Sequence, residues 1–275
     1  MNSAKPIIEI QHLWKEYGDN VVLERLNLSV QAGEFVSIVG ASGCGKSTFL
    51  NLMLGTELAS KGKILLDGEP LNPEPGTERG IVFQKYSVFP HMTALENVML
   101  GDEFASASPV AKLVGRLTGK TRKDAMARAT AMLEEVGLGH ALHKYPSELS
   151  GGMQQRLAIA QALIKKPRIL LLDEPFGALD PGIRKDMHKL IHKLWKEQQL
   201  TVFMITHDLS EGFHLGSRLW VFDKTRVDAQ APERFGAQVT YDIPLHKTPE
   251  IEEQLAGLVP GLSAKQTENE PTPTA

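Results

Sequence analysis

Residues 34–39, EFVSIV, form a short and nearly unbroken apolar run that passes directly into GASGCGKST, residues 40–48. A helical pattern then occupies residues 47–54. Two later apolar runs, residues 169–172 and 202–205, are equally short and are separated from their neighbours by helical pattern. Continuous apolar strands of this length alternating with helices predict a parallel sheet covered on both faces. Ahead of them, residues 6–11 place Ile8 and Ile10 on one face, and residues 21–30 do the same with Val22, Leu26, Leu28 and Val30. That period of two predicts an antiparallel layer at the N-terminus.

Residues 92–165 are different, being mostly helical in pattern. Ala125, Ala129, Met132, Leu133 and Val136 line one side of residues 122–136. The expected organisation is an α/β core made of residues 1–91 and 166–243, a helical subdomain of residues 92–165 inserted in it, and a C-terminal extension of residues 244–275. Residues 101–120 read as either loop or short helix. Residues 261–275 are polar and proline-rich, as expected of a disordered tail. The 275 residues are 42% hydrophobic and 23% charged, which suits a globular chain and excludes a fibrous or wholly disordered one. A net charge of -3 without a long Lys/Arg run gives no electrostatic footprint for nucleic acid. Cys44 is the single cysteine, so no intramolecular disulfide forms and a reducing compartment is expected. No run approaches eighteen apolar residues, and the first ten lack a secretory pattern. The expectation is a cytoplasmic chain that crosses no membrane itself.

Gly40, Gly45, Lys46 and Ser47 match G-x-x-x-x-G-K-[ST] between a strand and a helix, with Ser42, Gly43 and Cys44 in the turn. Glycines let backbone N–H groups point inward, and the following helix directs its positive end to the same place. A phosphate-type anion fits there. Lys46 can reach the β- and γ-phosphates, Ser47 can ligate Mg²⁺, and Thr48 can donate to the α-phosphate. A Gly/Ser turn that binds nothing has the same composition, but lacks this strand and helix context. The G-x-x-G-x-G spacing argues against a dinucleotide site. The other two buried strands end in Asp173-Glu174 and in Thr206-His207-Asp208, and in a parallel sheet these ends share one edge. Asp173 suits Mg²⁺, Glu174 suits general-base activation of water, and His207 can hold the γ-phosphate and orient both Glu174 and the water. Each feature alone reads more readily as a cap, a turn or a structural histidine.

Leu149-Ser150-Gly151-Gly152-Met153-Gln154-Gln155-Arg156 resembles the signature of the ATP-binding cassette (ABC) ATPases. Ser150 is suited to cap a helix, with Gly151 and Gly152 exposing N–H groups at its positive end. The resemblance covers residues 8–223 and implies a P-loop NTPase fold, an active ATPase, and ATP with Mg²⁺ as its ligands. It also implies that the signature of one copy closes over the nucleotide held by a second copy. On the same ground Tyr17 is expected to stack on adenine, and Gln84 to sense the γ-phosphate and Mg²⁺. Asp180 in Gly177-Ala178-Leu179-Asp180 is expected to cross the dimer interface, although alone it reads as a cap before Pro181. Cys44 reads as a small loop filler, or as an alkylatable thiol at a helix N-terminus.

The chain is most similar in kind to importer ATPases for nitrate, sulfonate and taurine, and residues 221–245 are similar to urea-related cassettes. Separate membrane permease subunits and a periplasmic or surface solute-binding protein are then implied partners, at the cytoplasmic face of the inner membrane. Phe89, Pro90, Met92 and Leu95 would line the permease groove, or form the subdomain's own core. The other readings are a soluble ABC-type ATPase not coupled to transport, and a P-loop kinase.

Overall fold

The alternating residues at the N-terminus do form antiparallel strands, β1 (Ile8–Tyr17) and β2 (Asn20–Val30), joined by a turn in which Gly18 takes a φ of 57°. The computed structural model describes residues 5–84, 87–106, 120–226, 228, 230–231 and 233–245. In chain order there follow β3 (Phe35–Gly40), α1 (Lys46–Leu54), β4 (Lys61–Leu66), β5 (Glu69–Pro70), β6 (Arg79–Val82), α2 (Ala94–Ser106), α3 (Lys120–Glu135) and α4 (Gly151–Leu163). The second half adds β7 (Ile169–Asp173), α5 (Pro181–Gln198), β8 (Thr201–Ile205), α6 (Leu209–Leu215), β9 (Arg218–Asp223) and β10 (Gln238–Pro244). One sheet is antiparallel with strand order β2-β1-β4-β5. The other runs β10-β9-β3-β8-β7-β6 and is parallel except for β10, which pairs antiparallel with β9 at the edge.

The unbroken apolar strands have a simple cause. Leu170, Leu172, Val202 and Met204 face one way, into a core shared with α2, α3, α4 and α5. Ile169, Leu171, Phe203 and Ile205 face the other way, into a core shared with α1 and the antiparallel layer. Both faces are covered, so no position alternates to polar. The first of these cores is continuous from Ala94 and Leu133 to Val202, so the helical segment is not packed separately from the sheet.

Residues 101–106 belong to α2, which settles that part of the loop-or-helix alternative as helix. Residues 107–119 and the expected tail at 261–275 lie outside the described residues. Within 224–245, β10 is held by Arg218, whose guanidinium donates to both Asp242 carboxylate oxygens at 2.6 Å, and by Trp220 Nε1 donating to the same carboxylate at 2.9 Å. Among the described residues no helix is long and apolar enough to cross a membrane.

Candidate functional site

The glycine loop leaves β3 beside β9 and enters α1, and its conformation rules out side chains at two positions. Gly40 has a φ of 152°, and a Cβ there would lie 2.2 Å from the Phe222 carbonyl oxygen. Gly45 has a φ of 94°, and a Cβ there would lie 2.9 Å from Leu23 Cδ2 and from Val22 Cγ1. Only glycine supplies that backbone without strain. Helix α1 is anchored beneath the loop by Phe49, fully buried against Phe203, Trp220 and Phe222 with ring centroids 5.4–6.4 Å away. Lys46 turns back into the loop, its Nζ donating to the Gly40 and Ala41 carbonyls at 2.8 Å each. Cys44 is buried, and burial pushes its thiol above the ordinary range despite the nearby Lys46 charge. Burial and the raised thiol favour the filler reading of Cys44 over the alkylatable one.

Asp173 ends β7 next to the loop and accepts a hydrogen bond from Ser47 Oγ at 3.4 Å. Burial raises its pKa, the negative charge of Glu174 adds to the rise, and the Ser47 bond opposes it. Glu174 follows with a φ of 45°, a left-handed conformation that costs a non-glycine residue of order 1–3 kcal/mol. Its N–H donates to the Ile205 carbonyl at 3.0 Å, which ties it to the end of β8. One carboxylate oxygen, Oε2, accepts from Gln84 Nε2 at 3.0 Å and lies 3.4 Å from Nδ1 of the exposed His207. Gln84, Glu174 and His207, spread over more than a hundred residues of sequence, therefore meet at one oxygen.

Tyr17, Gly40, Ser42, Gly43, Gly45, Lys46, Ser47, Thr48, Gln84, Glu174 and His207 line a single cavity of about 620 Å³. Asn20 and Val22, at the start of β2, complete it; the sequence read Val22 only as a strand residue and did not mark either as part of the site, since that strand carries no motif. Tyr17 is 47% exposed; its hydroxyl donates to Glu57, while Lys15 Nζ lies 4.5 Å from the ring centroid and 3.0 Å from Glu57. Burial and the Glu57 carboxylate push the Tyr17 pKa up to about 12. Glu57 was not legible either, standing 40 residues from its partner.

Ser150, Gly151, Gly152 and Asp180 do not line this cavity. Ser150 caps α4 as expected, its side chain accepting from Met153 N at 3.4 Å. The two glycines differ, however. Gly151 is exposed, whereas Gly152 is buried, and a Cβ there would lie 2.5 Å from Ile183 Cγ2 on α5. Gly152 thus also serves helix packing. Asp180 is exposed ahead of Pro181, and its carboxylate makes no capping bond. In the expected permease groove, Leu95 is buried in the core, Met92 is half-buried, and Phe89 and Pro90 are exposed.

The oxygen donors of Ser47 and Asp173, adjacent at the end of the loop, fit a hard divalent cation such as Mg²⁺. The family model described as ABC transporter matches residues 23–177. The chain is 39% identical to the spermidine/putrescine import ATP-binding protein PotA of Nitrosomonas europaea, over 81% of this chain and 58% of that protein. It therefore spans little more than half the length of that relative. It is 36% identical to the nitrate import ATP-binding protein NrtD of Synechocystis sp., over 91% of this chain and 92% of that one. In structure it is similar to the ATP-binding cassette MJ0796, solved as a dimer in a post-hydrolysis state bound to ADP and Pi, with a TM-score of 0.68 and 29% identity over 88% of this chain and all of that one. With cradle, acid pair, histidine and signature in place, and relatives matched along most of its length, the chain belongs to the ABC transporter family as an ATP-binding cassette.

Proposed function

We propose that this chain binds and hydrolyses ATP with Mg²⁺ and powers uptake of a small solute through separate permease subunits. The observation that carries the reading is the Glu174 carboxylate, held by Gln84 and facing His207 at the rim of the glycine cradle. The loop N–H groups and the N-terminus of α1 bind the phosphates. Lys46 spends two of its three hydrogens on the loop, and a γ-phosphate oxygen easily displaces the weak 3.9 Å contact of the third to Cys44 Sγ. Ser47 and Asp173, with Gln84, would hold Mg²⁺, which when bound neutralises charge on the β- and γ-phosphates. Glu174 Oε2 takes the proton of a water aligned with the γ-phosphorus, and His207 keeps that carboxylate and water in line. Tyr17 supplies a ring for adenine at the open side of the cavity.

Ser150, Gly151, Gly152 and Asp180 act on the nucleotide of a second copy, Gly152 by setting the seat of α4. Their absence from the chain's own cavity supports this, as does the dimeric state of the related cassette MJ0796. The exposed Phe89 and Pro90 are offered to the permease, at the cytoplasmic face of the inner membrane, with a solute-binding protein on the far side. A solute of the nitrate, sulfonate, taurine or urea kind is favoured over a polyamine, because the match spans 92% and 69% of two NrtD proteins but only 58% of PotA from Nitrosomonas europaea. Phosphate release by wild type and Glu174→Gln tests the catalytic part. Loss of a general base lowers kcat roughly 10²-fold or more, and an unchanged rate in the variant would remove Glu174 from that role.

A further inference from the structure

Behind Glu174 and His207 lies a buried polar group that the reading above does not use. Helix α6 begins two residues after His207, and its Glu211 is turned inward, 7% exposed. One carboxylate oxygen accepts from Thr206 Oγ1 at 2.5 Å, and the other lies 2.8 Å from Nε2 of His188 on α5. His188 is itself largely buried, and its ring meets Phe176, two residues after Glu174, edge-on at 4.9 Å. Thr206 Oγ1 also accepts from the Asp208 N–H at 3.1 Å, so the residues on both sides of His207 are fastened. The Asp208 carboxylate faces Arg184 Nη1 at 3.8 Å, and Arg184 Nη2 donates to the Leu179 carbonyl at 3.3 Å, next to Asp180.

Arg184 and His188 are four residues apart and therefore share one face of α5. That face grips the turn carrying His207, while the start of the same helix carries Asp180. A carboxylate buried to this degree costs the fold more than an apolar pair of similar volume. What it supplies instead is direction, since hydrogen bonds fix where a turn sits in a way that apolar contact does not.

We propose that His188 and Glu211 are a positioning pair, locking the His207 turn to α5 so that the Asp180 loop and the His207–Glu174 contact move as one body. This rests on the reading of Glu174 and His207 as the hydrolytic pair. When a second copy meets Asp180, the displacement reaches His207 through α5.

The test is kcat and KM for Mg-ATP, together with thermal midpoints, in the full chain carrying His188→Leu, His188→Gln, or the double change His188→Leu with Glu211→Leu. His188→Leu lowers kcat roughly ten-fold and leaves KM within about two-fold, as expected when alignment and not binding is lost. His188→Gln, which keeps an N–H for Glu211, recovers most of kcat. The double variant regains thermal stability but not turnover. Recovery of kcat along with stability in the double variant would make the pair merely structural and overturn the proposal. If His188→Leu does not fold, Glu211→Leu takes its place, since it leaves both Thr206 and His188 without their partner: a comparable fall in kcat is expected, and wild-type kcat overturns the proposal. His207→Ala separates the two levels. Unchanged turnover there overturns the reading of the site and the pair with it, whereas reduced turnover there beside normal turnover in His188→Leu overturns the pair alone.

Discussion

Asp173 must be charged to hold a cation, yet it ends a strand buried on both faces. Burial above all, helped by the neighbouring Glu174, holds its carboxyl above the usual aspartate range, against the opposing Ser47 hydrogen bond and Lys46 charge. A folded-state pKa above the unfolded one means that the fold prefers the protonated form. The contribution of Asp173 to stability is then most favourable at low pH and is lost as pH rises from the unfolded value through the folded one. Above that window the ionised group is a cost. Asp173→Asn, neutral and nearly isosteric, is therefore expected to raise the melting temperature near neutrality, with the gain vanishing below about pH 3, where aspartate is protonated in both states. The same variant loses Mg²⁺-dependent turnover. Calorimetry across pH checks the first part, and an unchanged or lowered midpoint at neutral pH would contradict it. Glu174 carries a second local cost, its left-handed backbone, and both costs fall on residues proposed for the chemistry.

Helices α4 and α5 touch where Gly152 faces Ile183, which joins the signature helix to the helix that begins after Asp180. A methyl group at Gly152 would have to displace Ile183. Gly152→Ala is expected to cost about 1–3 kcal/mol of stability, and Ile183→Ala in the same chain is expected to recover part of it; urea denaturation of the four-member cycle measures the coupling. Strictly additive effects would contradict the contact. At this scale most of the strands that were read are those whose burial is lopsided or complete. β1 and β2 alternate because one face is covered, and β3, β7 and β8 are unbroken because both are. Of the missed strands, four lack either signal: β4 opens on Lys61-Gly62-Lys63, β5 is two exposed residues, β6 has four residues beginning Arg79-Gly80, and β10 is a half-exposed edge strand paired only with β9; β9 itself carries an unbroken buried run, Leu219 to Phe222, that the sequence reading passed over. The site divides in the same way. Contiguous motifs such as residues 40–48 announce themselves, while Glu57, His188 and Glu211 acquire their partners only when distant segments pack.

The molecule as a whole presents two helix N-termini, after the glycine loop and after the signature, that lie in different places. The N-terminus of α1 faces the cavity of about 620 Å³, whereas the capped N-terminus of α4, with the exposed Gly151, lies outside it. The uncapping carboxylate of Asp180 is likewise outside and exposed. A complete hydrolytic site on this account needs the cradle of one chain and the signature of another, so nucleotide bridges two copies and its hydrolysis releases them. Blocking hydrolysis while leaving both helix ends intact isolates that claim. The most direct measurement is the solution mass of Glu174→Gln with and without ATP and Mg²⁺. The account predicts the 30.2 kDa chain alone and twice that mass with nucleotide. A chain that binds ATP yet keeps its single mass at saturation would contradict it.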